Sequence, residues 1–342
     1  MSYLLQTNVL TYDALLTALY TTFALGTDGW TGVYNAIADE GSERQIGFEK
    51  GNCHIAIGAR STENPIVASG NDARLNMALC TALLSGGGQK KYYGHTGSIV
   101  TTATDADRVI INDLGETPYA NVWFFSGSAK KHIHVVVQSS AERFSHFSFG
   151  ILDNLGQTTP DVAYAVSAYH EWWSSGVASN SPASASHKVG HFFENPFNLF
   201  VPASVLPAGY PTTPLVYNSS VTQTMIRATT PSDHYQNAAG NILDFFLAVN
   251  NATTTGGSAM MPLPVFFQEA AAVSHVLLGV LPDVRLINMA QYTPAQIVKF
   301  GTEEWVVFPW KRKGLRENIN GGSNPIQIAN TIEYGFAYKK TP

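Results

Sequence analysis

Three histidines in one short stretch are the residues of this chain best placed to do chemistry. His132 and His134 are two apart in a run of β-branched residues, and His146 follows a polar turn in a second run. Imidazole binds divalent metals and moves protons near neutral pH, so three on one face of a hairpin would make a candidate zinc or iron centre. If the hairpin closes through residues 139–142 with Gln138 facing Arg143, then Val135 faces His146 and His134 faces Phe147. Opposed side chains share a face, which puts His146 on the other side from His132 and His134. Only a bulge or a one-residue slip would reunite them. A closed zinc site also wants four ligands, and the carboxylates nearby are Glu142 and Asp153. The expectation is histidines satisfied by hydrogen bonds within a sheet, with no metal site and no cofactor.

Other chemistry-bearing patterns lead to the same reading. The chain has no Gly-x-Ser-x-Gly elbow, no His-Glu-x-x-His, no phosphate-binding glycine loop and no dinucleotide fingerprint. Gly86, Gly87 and Gly88 before Gln89 and Lys90 lack the spacing and the Lys-Ser/Thr ending of a phosphate cradle. Asp105 and Asp107 have the spacing of the first two calcium-loop ligands but not the later glycine and glutamate. His170-Glu171 and Asp233-His234 are adjacent pairs of a kind any long chain contains. Trp172 and Trp173 beside Tyr169 could stack on a sugar, yet a glycosidase needs two carboxylates across a cleft, and tandem aromatics more often pack in a core or interface. Trp305, Phe308 and Trp310 flank Val306 and Val307, which reads as a packed strand. No catalytic residue is expected, and the chain does not read as an enzyme.

The elements that hold these residues are mostly strands. Tyr12, Leu15, Leu16, Leu19, Tyr20 and Phe23 follow the spacing of one helical face, with Thr11 to cap it, Asp13 against the dipole and Gly26 to end it. Residues 52–58 alternate as a strand, and 109–111 read as another. Residues 74–84 suit a strand or a helix. Residues 123–125, 132–138 and 143–149 should form one antiparallel meander. The predicted fold class is mainly β with a few helices (α+β): antiparallel sheets or a sandwich, with an N-terminal amphipathic helix packed on a sheet. Residues 174–186 are low in complexity, and 202–231 are rich in Pro, Thr and Ser. This predicts a β-rich domain over 1–173, an insertion or arm over 174–257, and a C-terminal β-rich segment over 258–342 that packs with the first.

Bulk properties narrow the partners. Charged residues are 13% of 342 and aromatics 11%, which suits either a surface covered by neighbours or an all-β protein with a Ser/Thr/Asn-rich surface. A net charge of -5 gives no footprint for nucleic acid, and Lys311, Arg312 and Lys313 read as a solvated turn. Cys53 and Cys80 read as buried thiols. The N-terminus lacks a secretory signal pattern, and the apolar stretch 265–281 is interrupted by Gln268, Glu269 and His275. A soluble protein made in a cytoplasm, away from membranes, is expected.

Residues 123–150, with His132-x-His134, a polar turn, then His146-Phe147-Ser148-Phe149-Gly150, resemble a segment of virion structural proteins of tailed bacteriophages. Leu281-Pro282-Asp283-Val284-Arg285, the run from Glu304 to Pro309, and Tyr334-Gly335-Phe336-Ala337-Tyr338 are similar to that family as well. The resemblance implies a structural part of the tail, baseplate or neck, present in several copies. Its partners would be copies of itself and other virion proteins, and its location the virion, assembled in the host cytoplasm. A glycan-binding or glycan-cleaving tail-tip module is the alternative.

Overall fold

The computed structural model describes residues 3–24, 30–37, 44–59, 75–80, 82–83, 95–96, 109–111, 118–127, 131–154, 161–167, 197–201, 215–218, 224–227, 259–269, 275–309 and 334–341. The chain opens with β1 (Tyr3–Val9), α1 (Tyr12–Ala24), β2 (Thr31–Ile37), β3 (Arg44–Lys50) and β4 (Cys53–Ala59). Next come β5 (Leu75–Cys80), β6 (Ala82–Leu83), β7 (His95–Thr96) and β8 (Val109–Ile111). The middle holds β9 (Tyr119–Phe125), β10 (His132–Ser140), β11 (Arg143–Ile151) and β12 (Ala163–Ser167). Then follow β13 (Phe197–Val201), β14 (Leu215–Asn218), β15 (Thr224–Arg227) and β16 (Met261–Glu269). The last strands are β17 (His275–Asn288), β18 (Gln296–Phe300), β19 (Glu303–Pro309) and β20 (Tyr334–Lys340).

These strands form antiparallel sheets. A central sheet has the order β1-β9-β10-β11-β12-β13-β14, with the expected meander β9-β10-β11 at its heart. An N-terminal sheet runs β2-β3-β4-β5-β8, which settles residues 75–80 as strand. A C-terminal sheet runs β15-β16-β17-β20-β19-β18.

Alternation along β9–β12 explains why the central sheet is covered on both sides. One face carries Val122, Phe124, Ile133, Val135, Val137, Phe147, Phe149, Ala163 and Ala165, in one cluster with α1 and the N-terminal sheet. Trp30, Phe48 and Phe149 meet there at centroid separations of 5.6–6.2 Å. The helix fills the space near β1 and β9, where Phe23 meets Phe124 edge-on and Leu15, Leu16 and Leu19 are fully buried. Its start is built as the sequence predicts: the Ala14 N–H donates to Thr11 Oγ1 at 3.0 Å, a cap worth about 1 kcal/mol. Asp13 takes a 2.6 Å hydrogen bond from Arg44 Nε of β3, fixing the helix to that sheet.

The opposite face of the central sheet packs on the C-terminal sheet. Trp123 and Phe125 meet Phe308, and Phe125 stacks on Tyr338 at 5.1 Å. Backbone bonds between Asp153 and Val280, 2.9 and 3.0 Å long, join the layers at one end. On its far side the C-terminal sheet holds a small cluster of Ile287, Met289, Trp305, Val307 and Ala337.

Within the stretch read as an arm, β13 and β14 extend the central sheet from β12, and β15 pairs with β16. Residues 86–90, 105–107, 169–173, 233–234 and 310–313, named above, lie outside the described residues, as do Gly26 and the rest of 174–257.

Candidate functional site

The hairpin carrying the histidines closes one residue away from the expected register. Ser140 pairs with Arg143 around a two-residue turn, a bulge follows at Ser139, and Gln138 then faces Phe144 rather than Arg143. His146 therefore faces Val136, and Ser148 faces His134. All three histidines share one face, correcting the separation expected from sequence. The cause is segregation. This register gathers Ile133, Val135, Val137, Phe147 and Phe149 on the apolar side, whereas the expected one would have set Phe147 and Phe149 among the histidines.

Sharing a face does not make the histidines a metal centre, because each is engaged separately at the junction with the C-terminal sheet. His134 Nε2 lies 2.7 Å from the Pro282 carbonyl, which can only accept, so this nitrogen donates. Its Nδ1 then accepts from the Ser148 hydroxyl at 2.6 Å, and Ser148 Oγ accepts from the Tyr164 hydroxyl at 2.9 Å. Burial lowers the His134 pKa to about 4, so the ring is neutral in this chain of bonds. His146 repeats the pattern: Nε2 donates to the Pro309 carbonyl and Nδ1 accepts from the Tyr338 hydroxyl, both at 2.9 Å. Burial pushes the Tyr164 and Tyr338 hydroxyls upward, keeping them protonated donors.

His132 is different. Its ring lies 4.7 Å from that of His134, and its Nε2 accepts from the Gly127 N–H at 3.2 Å. Asp283 Oδ2 lies 3.5 Å from the same nitrogen. Burial lowers the His132 pKa well below the usual imidazole value and raises that of Asp283. Asp283 sits at φ 51°, an uncommon conformation for a residue with a side chain. Gly127 leaves room beside it: a Cβ there would fall 2.4 Å from Asp283 Oδ2 and 2.8 Å from His132 Cε1, so one of them would have to shift. The pair forms one wall of a recess of about 280 Å³ whose rim carries Lys131, Asp153, Asp161 and Arg285. Lys131 and Asp161 face one another at 3.7 Å.

Ser148 and His134 have the spacing of a nucleophile and its base. Both are completely enclosed, 1% and 0% exposed, and the hydroxyl is held from two sides, so the arrangement locks two sheets and offers no path to a substrate. Among the described residues no group of three or more His, Cys, Asp or Glu side chains is arranged to hold a metal ion. Cys53 is buried in the core and forms no disulfide. Trp305 and Phe308 are buried strand residues, with Arg285 over the Trp305 ring at 5.3 Å. Sequence reasoning singled out the histidines but missed Ser148, Tyr164 and Asp283 as their partners. A single turn-adjacent bulge decides which residues oppose which, and the one sequence signal for it is the segregation of apolar residues onto one face.

Comparison with protein-family models finds no matching family, and comparison with curated proteins finds no significant match.

Proposed function

We propose that the chain is a structural component of a tailed-phage virion, present in several copies in the tail, baseplate or neck and acting without catalysis. One observation carries the reading. The segments on which the resemblance rests are scattered from residue 123 to 338, yet they meet at one buried junction. His132-x-His134 and the 146–150 strand supply one side, and Pro282-Asp283, Phe308-Pro309 and Phe336 to Tyr338 the other. Segments that share a resemblance and also share a junction behave as the core of one building block. The chemistry-bearing residues are spent on holding that block together, which suits a part with a mechanical task. Its partners are then copies of itself and other virion proteins, and its location is the particle.

Mass spectrometry of purified particles should find the chain at several copies each, and electron microscopy should place it in the tail, baseplate or neck. Particles that are complete and infective without it would overturn the proposal.

A further inference from the structure

β1 is an outer strand of the central sheet: β9 pairs its inner side, and no described strand pairs its outer side. Alternate residues along it therefore turn N–H and C=O groups away from the sheet. Tyr3–Val9 contains neither charge nor proline, two of the devices by which sheet edges are kept from joining other chains. The edge strand β18, by contrast, carries Lys299. On β1 Leu5 is 43% exposed, and Leu10 just beyond it 66%.

We infer that this edge is a self-association surface, pairing antiparallel with β1 of a second copy about a twofold axis at Gln6. In that register Gln6 meets Gln6 and Leu5 meets Thr7; the regular stretch of the strand ends at Asn8, whose φ is 53°. The same strand thus satisfies itself: amide faces amide, and the two Leu5 side chains lie diagonally on one face, each covering the other. No like charges oppose one another, because the strand has none. The charges beside it are paired within the protomer: Asp13 with Arg44 at 2.6 Å, and Lys340, which lies over the Tyr3 ring, with Glu304 at 3.0 Å. An axis perpendicular to the sheet keeps both α1 helices on the same side. There the trough of about 590 Å³ between β1 and α1, lined by Gln6, Ala14, Thr17, Ala18 and Thr21, opens onto its own copy. The helix side of its lining is short-chained, and the paired Asp13 and Arg44 close its other side. The pairing belongs to the free protein, so its failure would leave the virion reading untouched, and the reverse holds too.

Light scattering on the full chain after size exclusion should show a dimer. Leu5→Lys alters a half-exposed side chain and brings two like charges together across the axis. It should raise the dimer dissociation constant about tenfold or more while leaving monomer circular dichroism unchanged. Gln6→Cys should give a reducible cross-linked dimer, because opposed Cα atoms in an antiparallel pair lie within disulfide reach. Ile297→Cys on β18 should not. A monomer at every concentration, a dimer indifferent to Leu5→Lys, or cross-linking through Ile297→Cys but not Gln6→Cys would each overturn the inference.

Discussion

His146 and Tyr338, 192 positions apart in the chain, lie nearly parallel at 16° and share a 2.9 Å hydrogen bond between Nδ1 and the phenol. The bond crosses from the central sheet to the C-terminal sheet, and the imidazole is also tied to the Pro309 carbonyl. Tyr338→Phe keeps the stacked ring and strips the donor, leaving a buried nitrogen unsatisfied. The expected cost is about 1–3 kcal/mol, seen in chemical denaturation as a lower midpoint at unchanged slope. An unaltered midpoint would mean that the bond contributes nothing.

Acid should weaken the protein through His134. Unfolded, its ring titrates near 6.5; folded, burial holds it to about 4. Between those values the unfolded chain takes up a proton that the folded one refuses, so stability falls as pH drops through this window. The loss amounts to about 3 kcal/mol in total. His132, also lowered, adds to the loss, while Asp283, whose pKa is raised, opposes it. Replacing His134 by Gln should flatten the pH dependence of the unfolding free energy between pH 6.5 and 4. A slope identical to that of the parent would refute this assignment.

Gly127 and Asp283 should be energetically coupled. A methyl group at 127 collides with Asp283 Oδ2 and with the His132 ring, so Gly127→Ala should cost about 1–3 kcal/mol. In an Asp283→Gly background the nearest clash is gone and the φ of 51° is relaxed, so the same alanine should cost measurably less. Equal costs in both backgrounds would show that the two positions act independently.

Elemental analysis of purified protein should find no stoichiometric zinc or iron, since each histidine nitrogen facing the junction already has a protein partner there. Bound metal lost on His132→Ala would contradict this.

Alternation made β4, β8 and the β9-β10-β11 meander legible, and helical spacing with a threonine cap made α1 so. Both are local patterns with a fixed period. The histidine face was misjudged because one extra residue at Ser139 inverts every side chain beyond it. The tally of apolar residues on each face could have resolved that: only the bulged register puts Val135 with Phe147. Residues 75–80 resisted assignment because Ala and Leu suit either period, and pairing with β4 on one side and β8 on the other decided the matter. The partners Pro282, Pro309 and Tyr338 come from a different sheet, and no short-range pattern announces them.

β20 enters its sheet between β17 and β19, two strands made before it. Ribosomes add roughly 5–20 residues per second, so the sheet stays split down its middle until residues 334–340 have left the exit tunnel. During that interval Phe125, His146 and the ladder edges of β17 and β19 lack their Tyr338, Phe336 and backbone partners. The chain is therefore at its most adhesive before β20 emerges, and the arrival of one seven-residue strand ends that exposure.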